Sequence, residues 1–215
     1  MKLLIFDLDG TLIDSKADLA HSVNATRAYM GLTPISHELV ATYVGNGAPV
    51  LMRRTLGAEA TEEQVAKALD YFIRYYAEHC LDNTALYPGV KEALDHLREH
   101  EDIRMAVLTN KPVRISGHII RGLGCGDHFF RVYGGNSFDR KKPDPVGVQT
   151  LLSETGAVRE DAFMVGDSAV DVRTARNAGI RACGVTYGFQ PDSFSAEPPD
   201  FTIDDLRQLP DYVLG

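Results

Sequence analysis

The chain has 215 residues, 44% hydrophobic and 24% charged, with a formal net charge of −8, which suits one sizeable domain or a core domain plus a smaller one. The acidic balance argues against nucleic-acid or anionic-membrane surfaces, which want clustered Lys and Arg, so neither kind of partner is expected. Three cysteines, Cys80, Cys125 and Cys183, are odd in number and widely spaced with no C-x-x-C pattern, indicating neither a disulfide framework nor a zinc site.

The first element is the apolar run KLLIFDL, residues 2 to 8, read as a buried strand. It starts the chain without a signal-peptide layout, and no apolar run approaches the roughly eighteen residues of a membrane span, so a cytoplasmic protein is expected. This strand ends in FDLDGTLIDS, residues 6 to 15, with Asp7 and Asp9 one residue apart. Side chains alternate along a strand, so both aspartates point one way and Leu8 the other. Two carboxylates about 4 Å apart repel by roughly 4 kcal/mol at an effective dielectric near 20. Either one is protonated or a cation is bound. Taken alone, Asp-Gly-Thr is also ordinary turn chemistry.

From Ser15 to about Tyr87 the strand signal stops. Ala17 to Met30 reads as a helix, and Thr61-Glu62-Glu63-Gln64 reads as a capping box opening a second one, with Val65, Leu69, Phe72, Ile73 and Tyr76 on its apolar face. About seventy residues of helix are too many for a loop. Residues 15–87 are therefore expected to form a separate all-helical unit, inserted just behind the paired aspartates and lying over them.

The remainder, residues 1–14 and 88–215, alternates strand and helix. Pro88-Gly89 opens the helix KEALDHLREH; RMAVLTN (104 to 110) reads as a strand and Arg114 to Leu123 as a helix. RVYGG (131 to 135), DAFMVGD (161 to 167) and RACGVTY (181 to 187) complete the strands, ARNAG (175 to 179) closes a helix with Gly179 just past its end, and Phe189 to Pro199 is a turn-rich surface connection. The expected fold class is α/β, a Rossmann-like parallel sheet core interrupted by an all-helical domain.

In open parallel sheets, ligands bind beyond the carboxyl ends of the strands. The polar strand ends are, in order, Asp7 and Asp9, Thr109-Asn110, Lys141-Lys142 in RKKPDP, and Gly166-Asp167-Ser168 with Asp171 in VGDSAVDV. Together they are parts for phosphoryl transfer: a carboxylate nucleophile, a second carboxylate, a hydroxyl and a lysine for phosphate oxygens, and further acids for a metal. Each part has an ordinary reading too. Thr109-Asn110 could cap a helix, Lys142 could be solvated in a Pro-rich turn, and Asp167 and Asp171 lie one turn apart where acids suit a helix start. Those readings leave unexplained why all of them end separate apolar strands.

DLDGT, the LTN threonine, the lysine of KKPDP and GDSAVD, in that order around a helical insert, resemble the motifs of the haloacid dehalogenase superfamily in its phosphatase branch. The resemblance covers essentially the whole chain, the insert standing where that family has its helical cap. VGNGAPVLMRR (44 to 54), TNKP and GGNSFDRKKPDP are most similar to phosphoglycolate phosphatases. The resemblance implies that the dehalogenases themselves lack an acid at the place of Asp9, which favours phosphate-ester chemistry over carbon–halogen cleavage.

The resemblance implies hydrolysis of a small phosphorylated metabolite, 2-phosphoglycolate above all, with Mg²⁺ as cofactor. Asp7 is the implied nucleophile, Asp9 the acid and base, Thr109 and Asn110 the donors to phosphate oxygens, and Lys142 the compensating cation, preferred to Lys141 because it directly precedes proline. The implied metal ligands are an Asp7 carboxylate oxygen, the Asp9 carbonyl and Asp167, with Asp171 a direct ligand or a neighbour that orients water. Gly45, Asn46 and Gly47, leading into Arg53 or Arg54, would meet the substrate's far end. Another small ester or pyrophosphate as substrate, a capped phosphosugar mutase and a non-enzymatic phosphoacceptor are the alternatives; the assembly is expected to be a monomer or homodimer.

Overall fold

The computed structural model describes residues 1–214. Six parallel strands form one sheet: β1 (Lys2–Phe6), then, after two short strands taken up below, β4 (Ile103–Leu108), β5 (Arg131–Tyr133), β6 (Ala162–Gly166), β7 (Arg181–Val185) and β8 (Phe201–Ile203), in the order β5-β4-β1-β6-β7-β8. From β1 the chain builds outward on one side to β5 and then crosses to build β6, β7 and β8 on the other. The strand order therefore reverses around β1, and the crevice beyond its carboxyl end is where ligands bind in such sheets.

Alternation splits the core between two faces. Leu4, Phe6, Met105, Val107, Phe163 and Val165 pack on one face with Leu94 and Leu97 of α5 (Val90–Arg98) and Ile115 and Ile119 of α6 (Val113–Gly122). Leu3, Ile5, Ala106, Leu108 and Met164 pack on the other with α7 (Val146–Thr155) and α8 (Ala169–Ala178). Burial on both faces is why these strands read as continuous apolar runs. Fully burying one such side chain contributes about 1.5–3 kcal/mol, and Leu3, Leu4, Ile5 and Phe6 are all 0% exposed. The strand alone thus offsets the roughly 4 kcal/mol repulsion of a close acidic pair placed at its end.

Between β1 and α5 the chain forms α1 (Lys16–Tyr29), α2 (His37–Tyr43), α3 (Ala48–Leu56) and α4 (Glu62–His79). Two strands of two residues each, β2 (Ile13–Asp14) and β3 (Ala85–Leu86), pair antiparallel where the chain leaves and re-enters the sheet region. A buried carboxylate fastens the same crossing: Asp18 of α1 accepts from Asn83 N and Nδ2 and from Thr84 N and Oγ1 at 2.7 to 2.9 Å. Burial works against its charge, but those four bonds outweigh it and hold the carboxyl below its ordinary value. The α4 helix starts on a capping box, Thr61 Oγ1 accepting from Gln64 N and Gln64 Oε1 from Thr61 N.

Several local expectations change. The strand expected through Leu8 stops at Phe6, and the one expected through Asn110 stops at Leu108. Beyond Phe6 the backbone turns: Thr11, Leu12 and Ile13 all donate to the Leu8 carbonyl, and Gly10 takes φ +81°, a conformation that suits glycine. The strand β8 and the β2–β3 pair lie outside the expected strands: two residues carry no periodicity, and Phe201–Ile203 stands in no longer apolar run. The three cysteines are free and buried. Among the described residues no helix is long and apolar enough to cross a membrane.

Candidate active site

Register brings the polar strand ends to one place. Phe6 of β1 pairs with Val107 on one side and Val165 on the other, so Asp7, Thr109 and Asp167 follow on three adjacent strands. The Asp7 amide extends the ladder to the Val165 carbonyl at 2.9 Å, and the Thr109 amide reaches the Tyr133 carbonyl at 3.0 Å. Asp7, Asp167 and Asp171 are all buried, each offering a carboxylate oxygen within 4.8 Å of the others.

Lys142 stands among them. Its ammonium lies 2.6 Å from Asp171 Oδ1 and 2.9 Å from Asp7 Oδ1. Burial disfavours that charge, yet Asp171 and Asp7 more than compensate and keep the lysine charged beyond its usual range. Burial pushes the Asp7 carboxyl up to about 6, with Lys142 pulling it down and Asp171 pushing it up. Asp167 lies well above its ordinary value, first because it is buried and then because Asp171 and Asp7 are close. Three acids against one ammonium leave a surplus of negative charge, which only protons or a further cation can neutralise.

The donor set suits a hard divalent cation. All three acids offer oxygen, the ligand type of Mg²⁺, and Asp7 Oδ1 has no well-aligned hydrogen bond although it is buried. Small residues crowd the acids. A Cβ at Gly10 would lie 2.2 Å from Asp167 Oδ2, and one at Gly188 would lie 2.2 Å from Asp167 Cβ. Asp167 Oδ2 accepts from Phe189 N at 2.7 Å. Asp171 is more fully engaged: Oδ1 holds Lys142, and Oδ2 accepts from Ser168 Oγ at 2.8 Å and Ser168 N at 3.2 Å. That leaves Asp7 and Asp167 with the open lone pairs.

Asp9 does not share Lys142 with Asp7. Its carboxylate accepts from Lys111 Nζ at 2.7 and 2.9 Å and from Ser15 Oγ at 2.5 Å. The two strand-end aspartates thus each have their own lysine, which corrects the picture of one shared compensating cation. Ser15 stands at the N-cap of α1 yet its side chain makes no capping bond, because its hydroxyl is committed to Asp9.

Beside Asp7 and Asp9 opens a cleft lined by these two acids, Thr109, Asn110 and Lys111 on the sheet side and by Leu19, Val44, Gly45, Gly47, Ala48, Leu51, Phe72, Ile73 and Tyr76 on the helical side. Core side chains grip the loop that carries Gly45 and Gly47: Asn110 Nδ2 donates to the Gly45 carbonyl at 2.9 Å, Lys141 Nζ to the Asn46 carbonyl at 2.7 Å, and Gln190 Nε2 to the Val44 carbonyl at 2.8 Å. Gly47 has φ +83°, and a Cβ there would meet Lys141 Nζ at 2.9 Å. Asn110 Nδ2 also reaches the Lys142 carbonyl at 3.0 Å, tying this loop to the lysine.

Asn46 meets Lys141 through its carbonyl and is not among the residues that line the cleft, and Arg53 is directed elsewhere. The Arg53 guanidinium donates to the Ala60 carbonyl at 3.0 Å and pairs with Glu62, where it ties α3 to the start of α4. Sequence reasoning missed Lys111, Ser15, Gln190 and the cleft face of Tyr76. Lys111 had a signal in the TNKP quartet; Tyr76 was counted only as part of an apolar helix face.

The chain is similar to known proteins along nearly its whole length. The sequence profile of the family described as haloacid dehalogenase-like hydrolase matches residues 4–185. A phosphoglycolate phosphatase of Pseudomonas putida is 40% identical over 215 residues, covering 97% of this chain and 78% of the relative. One from Vibrio parahaemolyticus is 38% identical over 220 residues, covering 99% and 96%. The crystal structure of a predicted phosphoglycolate phosphatase from Haemophilus somnus superposes with a TM-score of 0.93 at 34% identity, covering 99% of this chain and 97% of that one.

Proposed function

Because the chain belongs to the haloacid dehalogenase-like hydrolases, we propose that it is a Mg²⁺-dependent phosphatase converting 2-phosphoglycolate to glycolate and phosphate through an aspartyl-phosphate. One observation carries the reading: a buried carboxylate, Asp7, is held 2.9 Å from a buried ammonium and beside two further acids, with a second strand-end carboxylate, Asp9, secured separately by Lys111. The names of the similar proteins supply the substrate.

An Asp7 oxygen attacks phosphorus while the bond from phosphorus to the ester oxygen breaks. Asp9 gives that leaving oxygen its proton; it then takes a proton from water as the water attacks phosphorus, breaking the bond to Asp7 and releasing phosphate. Lys142 offsets charge on Asp7 and the phosphoryl oxygens, and the Thr109 hydroxyl and Asn110 amide donate to those oxygens. Asp7, the Asp9 carbonyl and Asp167 would hold Mg²⁺, which supplies positive charge against the developing negative charge. Asp171, with Lys142 on one oxygen and Ser168 on the other, positions the lysine. Residues 15–87 act as the cap that excludes water and presents the far wall of the cleft.

The test is phosphate release with Mg²⁺ across a panel of 2-phosphoglycolate, sugar phosphates and pyrophosphate. The reading expects 2-phosphoglycolate to lead. Its appearance among the poorest substrates would retire the substrate and leave the chemistry, whereas stable phosphorylation without turnover would retire the chemistry.

A further inference from the structure

The cleft has a second polar feature to which this chemistry gives no part in recognising the leaving group. Lys111 is the one cationic side chain among its lining residues, and Leu51, Phe72 and Ile73 around it are apolar. It is only 7% exposed, with its ammonium on both Asp9 oxygens and 4.5 Å from the centre of the Tyr76 ring. Tyr76 is 1% exposed, and its hydroxyl is buried without a hydrogen-bond partner. Leaving such a group unpaired costs about 1–3 kcal/mol.

An ammonium from the sheet side and a phenol from the helical side, meeting amid apolar lining, match a planar group that has two acceptor oxygens and a short apolar stem. We propose that Lys111, assisted by Tyr76, selects phosphate esters whose leaving group carries a carboxylate, which takes Lys111 in exchange for Asp9. The inference rests on the phosphatase reading and adds the residues that discriminate. The ammonium is already dry, so an arriving carboxylate meets a charge that has shed its water, and the released Asp9 turns to the ester oxygen. A neutral leaving group offers nothing in exchange and leaves Lys111 on Asp9.

The experiment compares kcat/KM for 2-phosphoglycolate with that for 2-hydroxyethyl phosphate, which has CH2OH in place of the carboxylate, in wild type, Lys111→Met, Lys111→Arg and Tyr76→Phe. Wild type should favour 2-phosphoglycolate. In Lys111→Met the ratio should fall roughly ten- to hundredfold, the worth of a charged hydrogen bond. Lys111→Arg should recover part of it, and Tyr76→Phe should lower it about three- to tenfold. Equal losses on both substrates, or a wild type without preference, would overturn the inference. If Lys111→Met does not fold, the Arg and Phe variants decide by the same ratio. Were phospholactate or 3-phosphoglycerate preferred with the same dependence on Lys111, the inference would stand and the 2-phosphoglycolate reading would fall. Hydrolysis of neither kind of ester would remove both.

Discussion

The ammonium of Lys142 rests 2.6 Å from Oδ1 of Asp171, and both side chains are almost wholly buried, 1% and 3% exposed. Asp171 in turn draws the Ser168 hydroxyl and amide to its other oxygen, so the start of α8 and the lysine share one support. Breaking a buried pair by removing one partner costs about 3–5 kcal/mol. Lys142→Met should lose stability on that scale in urea titrations of the metal-free protein. A loss under about 1 kcal/mol, the level of a surface pair, would mean that the lysine is not committed to Asp171.

Asp7→Asn keeps the shape of the side chain and removes the attacking oxygen's charge. Turnover should fall by at least about a thousandfold, as for other lost nucleophiles, while the circular dichroism spectrum stays that of the wild type. Phosphate release at near wild-type rate would take the nucleophile's role away from Asp7.

Mg²⁺ binding to the folded chain should raise the unfolding temperature, since a ligand at a hundred times its Kd adds about 2.7 kcal/mol. Gly188→Ala should remove most of that shift, because the new Cβ would lie 2.2 Å from Asp167 Cβ and 2.4 Å from the Gly10 carbonyl. No left-handed backbone is required at Gly188, so the variant acts by crowding, against Asp167 and the Gly10 backbone alike. An unaltered Mg²⁺ shift would show that Asp167 does not hold the ion.

Asp18 clamps the base of the helical segment through four hydrogen bonds, and its carboxyl sits below the ordinary value of 3.8. A carboxyl depressed in the folded state adds stability above its unfolded pKa, and that stability is lost as pH falls through the folded one. Asp18→Asn should therefore be less stable than wild type at pH 7 by about 1.5–3 kcal/mol, the scale of hydrogen bonds to a charged acceptor. The gap should narrow once the pH drops below 3.8. A gap that stayed constant down to the acid limit would show that the charge contributes nothing.

The sheet was legible because its evidence is local. Apolar runs bounded by Gly, Pro and Asp mark β1, β4, β6 and β7, and the capping box and stripe of α4 mark a helix without reference to the rest of the chain. The strand-end positions of Asp7, Thr109 and Asp167 follow from the same runs. Short elements such as β2, β3 and β8 were not legible, because they owe their existence to partners rather than to their own few residues.

The amino-acid order by itself determined the longer strands of the sheet and which polar groups stand at their ends, since hydrophobic period and turn chemistry are properties of neighbouring residues. Only the folded chain decided the pairing of those groups. Lys111 meets Asp9 across 102 positions, Arg53 turns to Glu62 instead of the cleft, and Tyr76 lines a cleft that exists only once helix and sheet are packed together. Which cation neutralises which acid depends on distance and burial in three dimensions, and neither is written in any one segment.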